Sequence, residues 1–362
     1  MVRARFIDFG DTDPLGSQAV YHGLARAMDE ADDPVLDMVR PDGQYVCIGA
    51  HQELEKEVNV EFAEANGLPI YRRHVGGGTV LLDAGQYFWH FVVPTDEVDS
   101  TPEALFERYS QPAIDTYRHF GVDATYAPVN DIVADGKKIG GTGAGDIGQA
   151  TVIVGSFMLD FDVEQMAKVV RAPSEKFQDK MYQTLQENMT TMRAQLGETP
   201  PLDELRAVFR DAVEDRLGWE LRDDVPTDEE TAAIDAARDE LSDPDWVDRK
   251  GLRGPEGRAK VKEGVHVGEG RQKATGGLIR ATVVDSDGTI DDLVLSGDIQ
   301  VLPETGLEAL ASDLVGEPLE GAPLRDAVAG SIERRGVEMP GVTPDEFTEE
   351  IMGAVGDGQL AV

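Results

Sequence analysis

The sequence predicts an α+β protein built on a mixed β-sheet, and three observations carry that expectation. Strand-like and helix-like runs alternate irregularly, without the regular strand–helix–strand repeat of a doubly wound parallel sheet. Apolar residues make up 41% of the 362 positions and recur in periodic runs separated by glycine and proline, enough for more than one core. Two tight-turn signals, Pro41-Asp42-Gly43 and Asp287-Gly288, sit between β-rich runs and mark hairpins.

The elements follow in order. After a short first strand, Asp13-Pro14 starts a helix whose Val20, Leu24 and Met28 recur every four residues on one apolar face. Strands are expected over 35–40, 44–49, 68–75 and 87–93, the third feeding directly into Gly76-Gly77-Gly78. Ser100 and Glu103 have capping-box spacing ahead of a helix carrying Leu105, Tyr109 and Ile114. Strand signals return over 132–134, 138–140 and 151–159, and residues 172–241 read as helical with breaks at Gly218 and Pro226. An acidic helix and linker over 223–248 close a first unit, residues 1–247. The second, residues 248–362, holds a hairpin over 278–295 and three short amphipathic helices, marked by Leu307/Leu310/Leu314, Leu324/Val328/Ile332 and Phe347/Ile351/Val355.

Seventy Asp and Glu against 33 Lys and Arg give a net charge of −37. That balance excludes a protein that wraps nucleic acid by neutralising phosphates, or one that rests on an anionic membrane face. The acids are spread along the chain and only ten of the basic residues are lysine. Such a surface suits a salty, halophilic cytoplasm, where screening removes its self-repulsion; recruitment of a basic partner is the other reading. The single cysteine, Cys47, excludes an intramolecular disulfide framework and a Cys-based metal site. The amino terminus has no signal-peptide core and no run approaches ~20 apolar residues. A soluble, cytoplasmic protein is expected.

Chemistry concentrates in two segments. The first is Arg72-Arg73-His74-Val75-Gly76-Gly77-Gly78-Thr79-Val80, followed by Asp83-Ala84-Gly85. Three consecutive glycines cost folding entropy and contribute no packing. One reason for them is a ligand approaching bare backbone, whose N–H groups face a phosphate or carboxylate; the arginines before them suit bidentate contact with anionic oxygens. The alternative is a tight turn beside two surface arginines. The second segment is Asn130-Asp131-Ile132, then Asp135-Gly136-Lys137-Lys138-Ile139-Gly140-Gly141. On a strand, Lys137 and Lys138 point to opposite faces, and an inward lysine is a point charge for phosphates or a developing oxyanion. Asn130 and Asp131 offer oxygen ligands of the kind magnesium takes. Read alone, this is equally a charged hairpin turn.

Other patterns weigh less. Gly143-Ala144-Gly145-Asp146-Ile147-Gly148 matches the dinucleotide glycine pattern, but a β-branched run follows it instead of a helix, so a mobile glycine loop is the better expectation. The six histidines lack ligand spacing. Cys47 sits in an apolar run and reads as a buried small hydrophobe.

With both segments at this spacing, and with Ile48-Gly49-x-x-Gln52 before them and Gly155-Ser156 after, the chain resembles the lipoate–protein ligase A family. The resemblance spans roughly residues 15–245. It implies a catalytic domain of the biotin/lipoate ligase type, while residues 260–298 resemble the accessory domain of such ligases, a small α+β unit. It also implies that lipoate and ATP with Mg2+ form lipoyl-AMP, and that the acyl group passes to a lysine of an acceptor. The acceptors implied are acidic lipoyl domains of 2-oxoacid dehydrogenase complexes or the glycine-cleavage H protein. Carried onto this sequence, Lys138 is the key lysine. Arg72, Arg73, Gly76, Gly77, Gly78, Thr79, Val80, Asp83, Gly155 and Ser156 cradle the acyl-adenylate, and Asn130 and Asp131 hold magnesium or the nucleotide.

Gln86 stands where the family usually has asparagine, and Val154 where it usually has histidine. Two rivals remain: an octanoyltransferase acting through a cysteine thioester, disfavoured because residues 121–130 hold no cysteine, and a non-catalytic adenylate or nucleotide binder. Residues 249–280 carry nine basic residues (Arg249, Lys250, Arg253, Arg258, Lys260, Lys262, Arg271, Lys273, Arg280) against three acids. This segment is expected to cover the adenylate or dock an acidic acceptor, or else to neutralise the acidic helix beside it.

Overall fold

The computed structural model describes residues 2–98, 101–172, 174–248 and 265–356. The elements of the first part are β1 (Val2–Thr12), α1 (Pro14–Ala27), β2 (Val35–Pro41), β3 (Tyr45–Ile48), α2 (Leu54–Glu57), α3 (Val60–Ala65), β4 (Ile70–Arg72), β5 (Val80–Leu82) and β6 (Gln86–Pro94). Then come α4 (Pro102–His119), β7 (Ala124–Ala127), β8 (Asp131–Ala134), β9 (Lys137–Ile147) and β10 (Ala150–Met158). The run closes with α5 (Val163–Val169), α6 (Glu175–Asn188), α7 (Met192–Leu196), α8 (Leu202–Leu217), β11 (Trp219–Asp223), α9 (Asp228–Leu241) and α10 (Pro244–Asp248). After the basic segment lie β12 (Val265–Ala274), β13 (Gly277–Ser286), β14 (Thr289–Gly297), α11 (Gly306–Leu314), α12 (Gly321–Arg335) and α13 (Pro344–Gly356).

An eight-stranded sheet in the order β11-β1-β2-β6-β10-β9-β8-β7 organises the first unit. β1 runs parallel to β2 and β11 while the remaining ladders are antiparallel, so the sheet is mixed and the fold is α+β. A three-stranded sheet, β4-β3-β5, accompanies it. β6 is buried at every position because both its faces are covered. Tyr87, Trp89, Phe91 and Val93 pack with Phe106, Tyr109 and Ile114 of α4 and Phe209 and Val213 of α8. On the other side α1 is pinned by α9: a Cβ on Gly23 would lie 2.4 Å from Ile234 Cγ1, so only glycine permits this approach.

Contacts divide the chain into two units, Met1–Ile48, Leu54–His74 and Thr79–Val247 in one, Gly49–Glu53, Val75–Gly78 and Asp248–Val362 in the other. The two short inserts are not anticipated by a division at 247/248. In the second unit β12-β13-β14 form an antiparallel sheet whose Ile279, Ala281, Val283, Leu293 and Leu295 pack against α11, α12 and α13. The hairpin turn is where it was expected, with Asp287 and Gly288 both at positive φ, 52° and 78°.

Several local expectations are corrected. Ser100 lies outside the described residues, and Thr101 caps α4 by accepting from Ala104 N–H. Gly143-Ala144-Gly145-Asp146-Ile147 is no loop: it is the second half of β9, with Gly143 and Gly145 opposite Val154 and Val152 of β10. Only Gly148 turns the chain, at φ +64°. The helical run over 172–241 is interrupted by β11, a short charged edge strand entered through Gly218 at φ +70°. Among the described residues no helix is long and apolar enough to cross a membrane.

Candidate active site

The β8–β9 hairpin is closed by Asp135 and Gly136, both at positive φ, the two-residue turn that the pair Asp-Gly favours. Its register shifts between Ile132 and Val133, so Lys138 faces Val133 while Asp131 faces Gly141. Lys138 reaches back along the ladder, and its Nζ lies 2.6 Å from Asp131 Oδ1. Gly141 makes the room: a Cβ there would sit 3.1 Å from the Lys138 Nζ. The two side chains are 42% and 37% exposed, so the pair stands open to solvent. The backbone of Lys138 is fixed from below, its carbonyl accepting from Thr190 N–H at 2.9 Å. Lys137 takes a different course and donates to the Gln186 carbonyl at 3.3 Å.

Asp131 is engaged by an ammonium, and the Asn130 amide donates to the Thr142 carbonyl. Among the described residues no three His, Cys, Asp or Glu side chains gather to hold a metal ion.

The arginines diverge. Arg72 is 1% exposed, and its Nε and Nη2 donate to the carbonyls of Trp246 and Val247 at 2.9–3.2 Å. Trp246 answers by donating Nε1–H to the Arg72 carbonyl at 2.9 Å. Arg72 therefore secures β4 to the α10 segment. Arg73 is half-buried, with Nη1 within 3.4 Å of the Cys47 carbonyl and 3.7 Å of its sulfur. His74 stacks on Trp246 at 4.2 Å between ring centroids, and its Nε2 lies 3.1 Å from Glu240. His74 N–H donates to Nε2 of His22, whose own Nδ1–H is committed to the Gln18 carbonyl; burial pushes the pKa of His22 well down, so it stays neutral. The arm from Glu240 to Val247 thus positions the segment that leads into the glycines. Sequence reasoning missed this, although Trp246 is one of only three tryptophans and stands out in an acidic linker.

Other expected residues have packing roles. Gly76 is needed because a Cβ would lie 2.7 Å from the Ile299 carbonyl, and Gly77 N–H donates to that carbonyl at 3.2 Å. Here the close approach that requires glycine is made by backbone of the same unit. Asp83 caps its own turn, accepting from Gly85 N–H at 2.8 Å and from Gln44 at 3.2 Å. It lines a recess of about 360 Å³ with Asp42, Asp160 and Asp162 and no basic residue, a poor seat for an anionic adenylate. Gly155 leaves space for the Trp89 indole, 2.2 Å from where its Cβ would be. Gln86 is buried and donates to the Leu81 carbonyl at 3.0 Å, so this departure from the usual asparagine serves the β5–β6 turn. Val154 pairs with His90 and Gly143 inside the large sheet; Thr79, Val80 and Ser156 are half-buried. Cys47 is sealed in β3 at 0% exposure, and burial pushes its thiol pKa up although Arg73 pulls the other way.

Comparison with known proteins sets this geometry in context. Residues 13–214 match the lipoyl protein ligase A/B catalytic domain family. Lipoate-protein ligase A subunit 1 of Thermoplasma acidophilum is 27% identical over 241 residues, 64% of this chain and 90% of that protein. Octanoyltransferase LipM of Halalkalibacterium halodurans is 26% identical over 277 residues, 68% of this chain and 99% of that one. Among solved structures, the bipartite lipoate protein ligase described with its E2 lipoyl domain from T. acidophilum superposes with a TM-score of 0.63 and 24% identity, covering 71% of this chain and all of that one. Lipoate-protein ligase A bound with ATP gives 0.59 and 23% over 68% of this chain and 98% of that one. P. falciparum LipL1 in complex with lipoate gives 0.68 and 13%, and covers 97% of this chain and 98% of that one.

Proposed function

The chain belongs to the lipoyl protein ligase A/B catalytic domain family, and from that premise we propose that it is an ATP-dependent lipoate–protein ligase. In the proposed reaction the carboxylate of lipoate attacks the α-phosphorus of ATP, pyrophosphate leaves, and lipoyl-AMP remains. An acceptor lysine amine then attacks the acyl carbonyl, AMP departs with the bonding electron pair, and the amine loses a proton. Magnesium enters as part of MgATP, a substrate. The acceptors are lipoyl domains of 2-oxoacid dehydrogenase complexes, in line with the E2 lipoyl domain described with the Thermoplasma ligase, or the glycine-cleavage H protein. The setting proposed is a salty cytoplasm.

The observation that carries this reading is Lys138: an accessible ammonium beside Asp131, on a strand whose glycine leaves its path clear. An ion pair this exposed contributes only about 0–1 kcal/mol, so an adenylate phosphate displaces Asp131 at little cost. Lys138 then favours the negative charge that develops on the carbonyl and phosphate oxygens. Arg73, Gly76, Gly77, Gly78, Thr79, Val80, Gly155 and Ser156 are proposed to bind the adenylate, with Arg72 moved from ligand contact to positioning. Thioester transfer, as the LipM relatives' name suggests, needs a reachable cysteine; the chain has one, and it is buried with a raised pKa.

Lipoate-dependent ATP–pyrophosphate exchange tests the proposal. Lys138→Ala should lower it by ~10²-fold or more with circular dichroism unchanged; normal exchange in that variant refutes the assignment. Acylation of an acceptor domain from octanoyl-acyl carrier protein without ATP, followed by mass spectrometry, would establish the transferase instead.

A further inference from the structure

We propose that Lys137 and the α6–α7 connector, Met189 and Thr190, are positioning residues for Lys138; this rests on the role given to Lys138 above. β9 starts at Lys137, but its ladder with β10 reaches only to Thr142, opposite Gly155. At Lys138 the strand therefore has Val133 of β8 on one side and the connector on the other. Met189 bridges to Lys138 in parallel register, and Thr190 N–H donates to the Lys138 carbonyl at 2.9 Å. That bond holds the peptide plane after Lys138, and with it the direction in which the side chain leaves the strand. The β8 side restrains it less, because the register shifts there between Ile132 and Val133.

The connector is anchored firmly at its α7 end. Thr190 is buried and its Oγ1 accepts from Gln195 Nε2 at 3.1 Å, Met192 lies in the main core, and Arg193 N–H donates to the Leu159 carbonyl at 3.0 Å. The α6 end is held less tightly: among the described side chains of α6 none is fully buried, and the last carbonyls of a helix have no acceptor role within it. Lys137 Nζ donates to one of them, the Gln186 carbonyl, at 3.3 Å, where the helix terminus favours a cation. The two adjacent lysines thus divide the work. Lys138 presents its ammonium beside Asp131, and Lys137 closes a loop, through α6 and Thr190, onto the backbone of its own neighbour. A misplacement of about 1 Å in a reacting group costs up to ~10²-fold in rate, so a clasp made of modest bonds still matters to turnover.

Lipoate-dependent ATP–pyrophosphate exchange, measured in single variants and again in a Lys138→Ala background, tests the clasp. Thr190→Pro removes the N–H, and Met189 already has the extended backbone that precedes a proline. It should lower kcat by about 10-fold, with KM for ATP and lipoate within about twofold of wild type. Lys137→Ala should lower kcat by about 3-fold, and Lys137→Arg, which keeps a cationic donor, should restore it. Both residues act through Lys138, so neither change should lower the residual exchange of Lys138→Ala by more than about twofold. Equal fold-losses in that background overturn the proposal, because Lys137 or the connector then acts independently of Lys138. Wild-type kcat in both Thr190→Pro and Lys137→Ala overturns it as well. Should circular dichroism show Thr190→Pro unfolded, the Lys137 variants decide by the same criteria. Normal exchange in Lys138→Ala itself overturns the parent reading instead.

Discussion

Two acid–base pairs in the first unit have similar geometry and opposite energetics, and exposure decides between them. Lys138–Asp131 is open to water and cheap to break. Asp37 and His90 face each other across β2 and β6, with Oδ1 2.7 Å from Nδ1, and both are buried. Among the described residues Asp37 Oδ2 has no hydrogen-bond partner, and burial raises the Asp37 pKa although His90 pulls it down. A pair of this kind is costly to break and gains little over apolar residues of similar volume. Asp37→Leu alone should cost about 3–5 kcal/mol in urea unfolding, and Asp37→Leu/His90→Leu should recover most of it; additive losses in the double variant would reject the coupling. At this scale the sequence is partly legible. Lys138, Asp131 and Gly141 stand out by spacing, but their contact depends on a one-residue register shift that no local pattern encodes. Arg72 and Arg73 look equivalent in the sequence and are separated only by Trp246 and Val247, which lie more than 170 positions away.

Elements with a clean period were readable, and those defined by a distant partner were not. α11, α12 and α13 follow from Leu307/Leu310/Leu314, Leu324/Val328 and Phe347/Ile351, all of which are core. β11 and β12 escaped because an edge strand needs little apolar content on its outer face, and β12 is half charged or glycine. Gly270 of β12 has a purpose: a Cβ there would lie 2.5 Å from Glu350 Oε1 of α13. That tight approach buries the Glu350 carboxyl, which raises its pKa to about 7 despite nearby Arg280, while Glu269 pushes the same way as burial. The folded state thus holds a proton that the unfolded state releases near its ordinary value of 4.5. The stabilising effect is complete below that value and is lost as pH rises from it toward about 7. Replacing the carboxyl by an amide, Glu350→Gln, should flatten the fall in stability across that window in urea titrations at successive pH. A slope equal to wild type would show that the carboxyl ionises freely in the folded protein.

For the whole molecule the dominant number is the charge of −37. Many acids sit in local ion pairs with arginine, such as Arg206 with Asp8 and Asp203, Arg216 with Asp115, and Arg335 with Asp313. Salt weakens these, and surface pairs of this kind contribute little to stability. Seventy acids against 33 basic residues leave more than half of the carboxylates without a cation of their own, and their mutual repulsion is weakened by salt as well. The two effects have opposite signs, and the excess decides: repulsion among many like charges outweighs a limited set of weak pairs. The melting temperature should therefore rise with KCl from about 0.05 M. It should level off near 1 M, where the screening length has fallen to about 3 Å, shorter than the distance between neighbouring surface charges. Levelling distinguishes screening from solute exclusion, which keeps strengthening burial as concentration rises. Calorimetry in KCl with a parallel sucrose series separates the two, and a melting temperature that is flat or falls with KCl would mean that the ion pairs dominate.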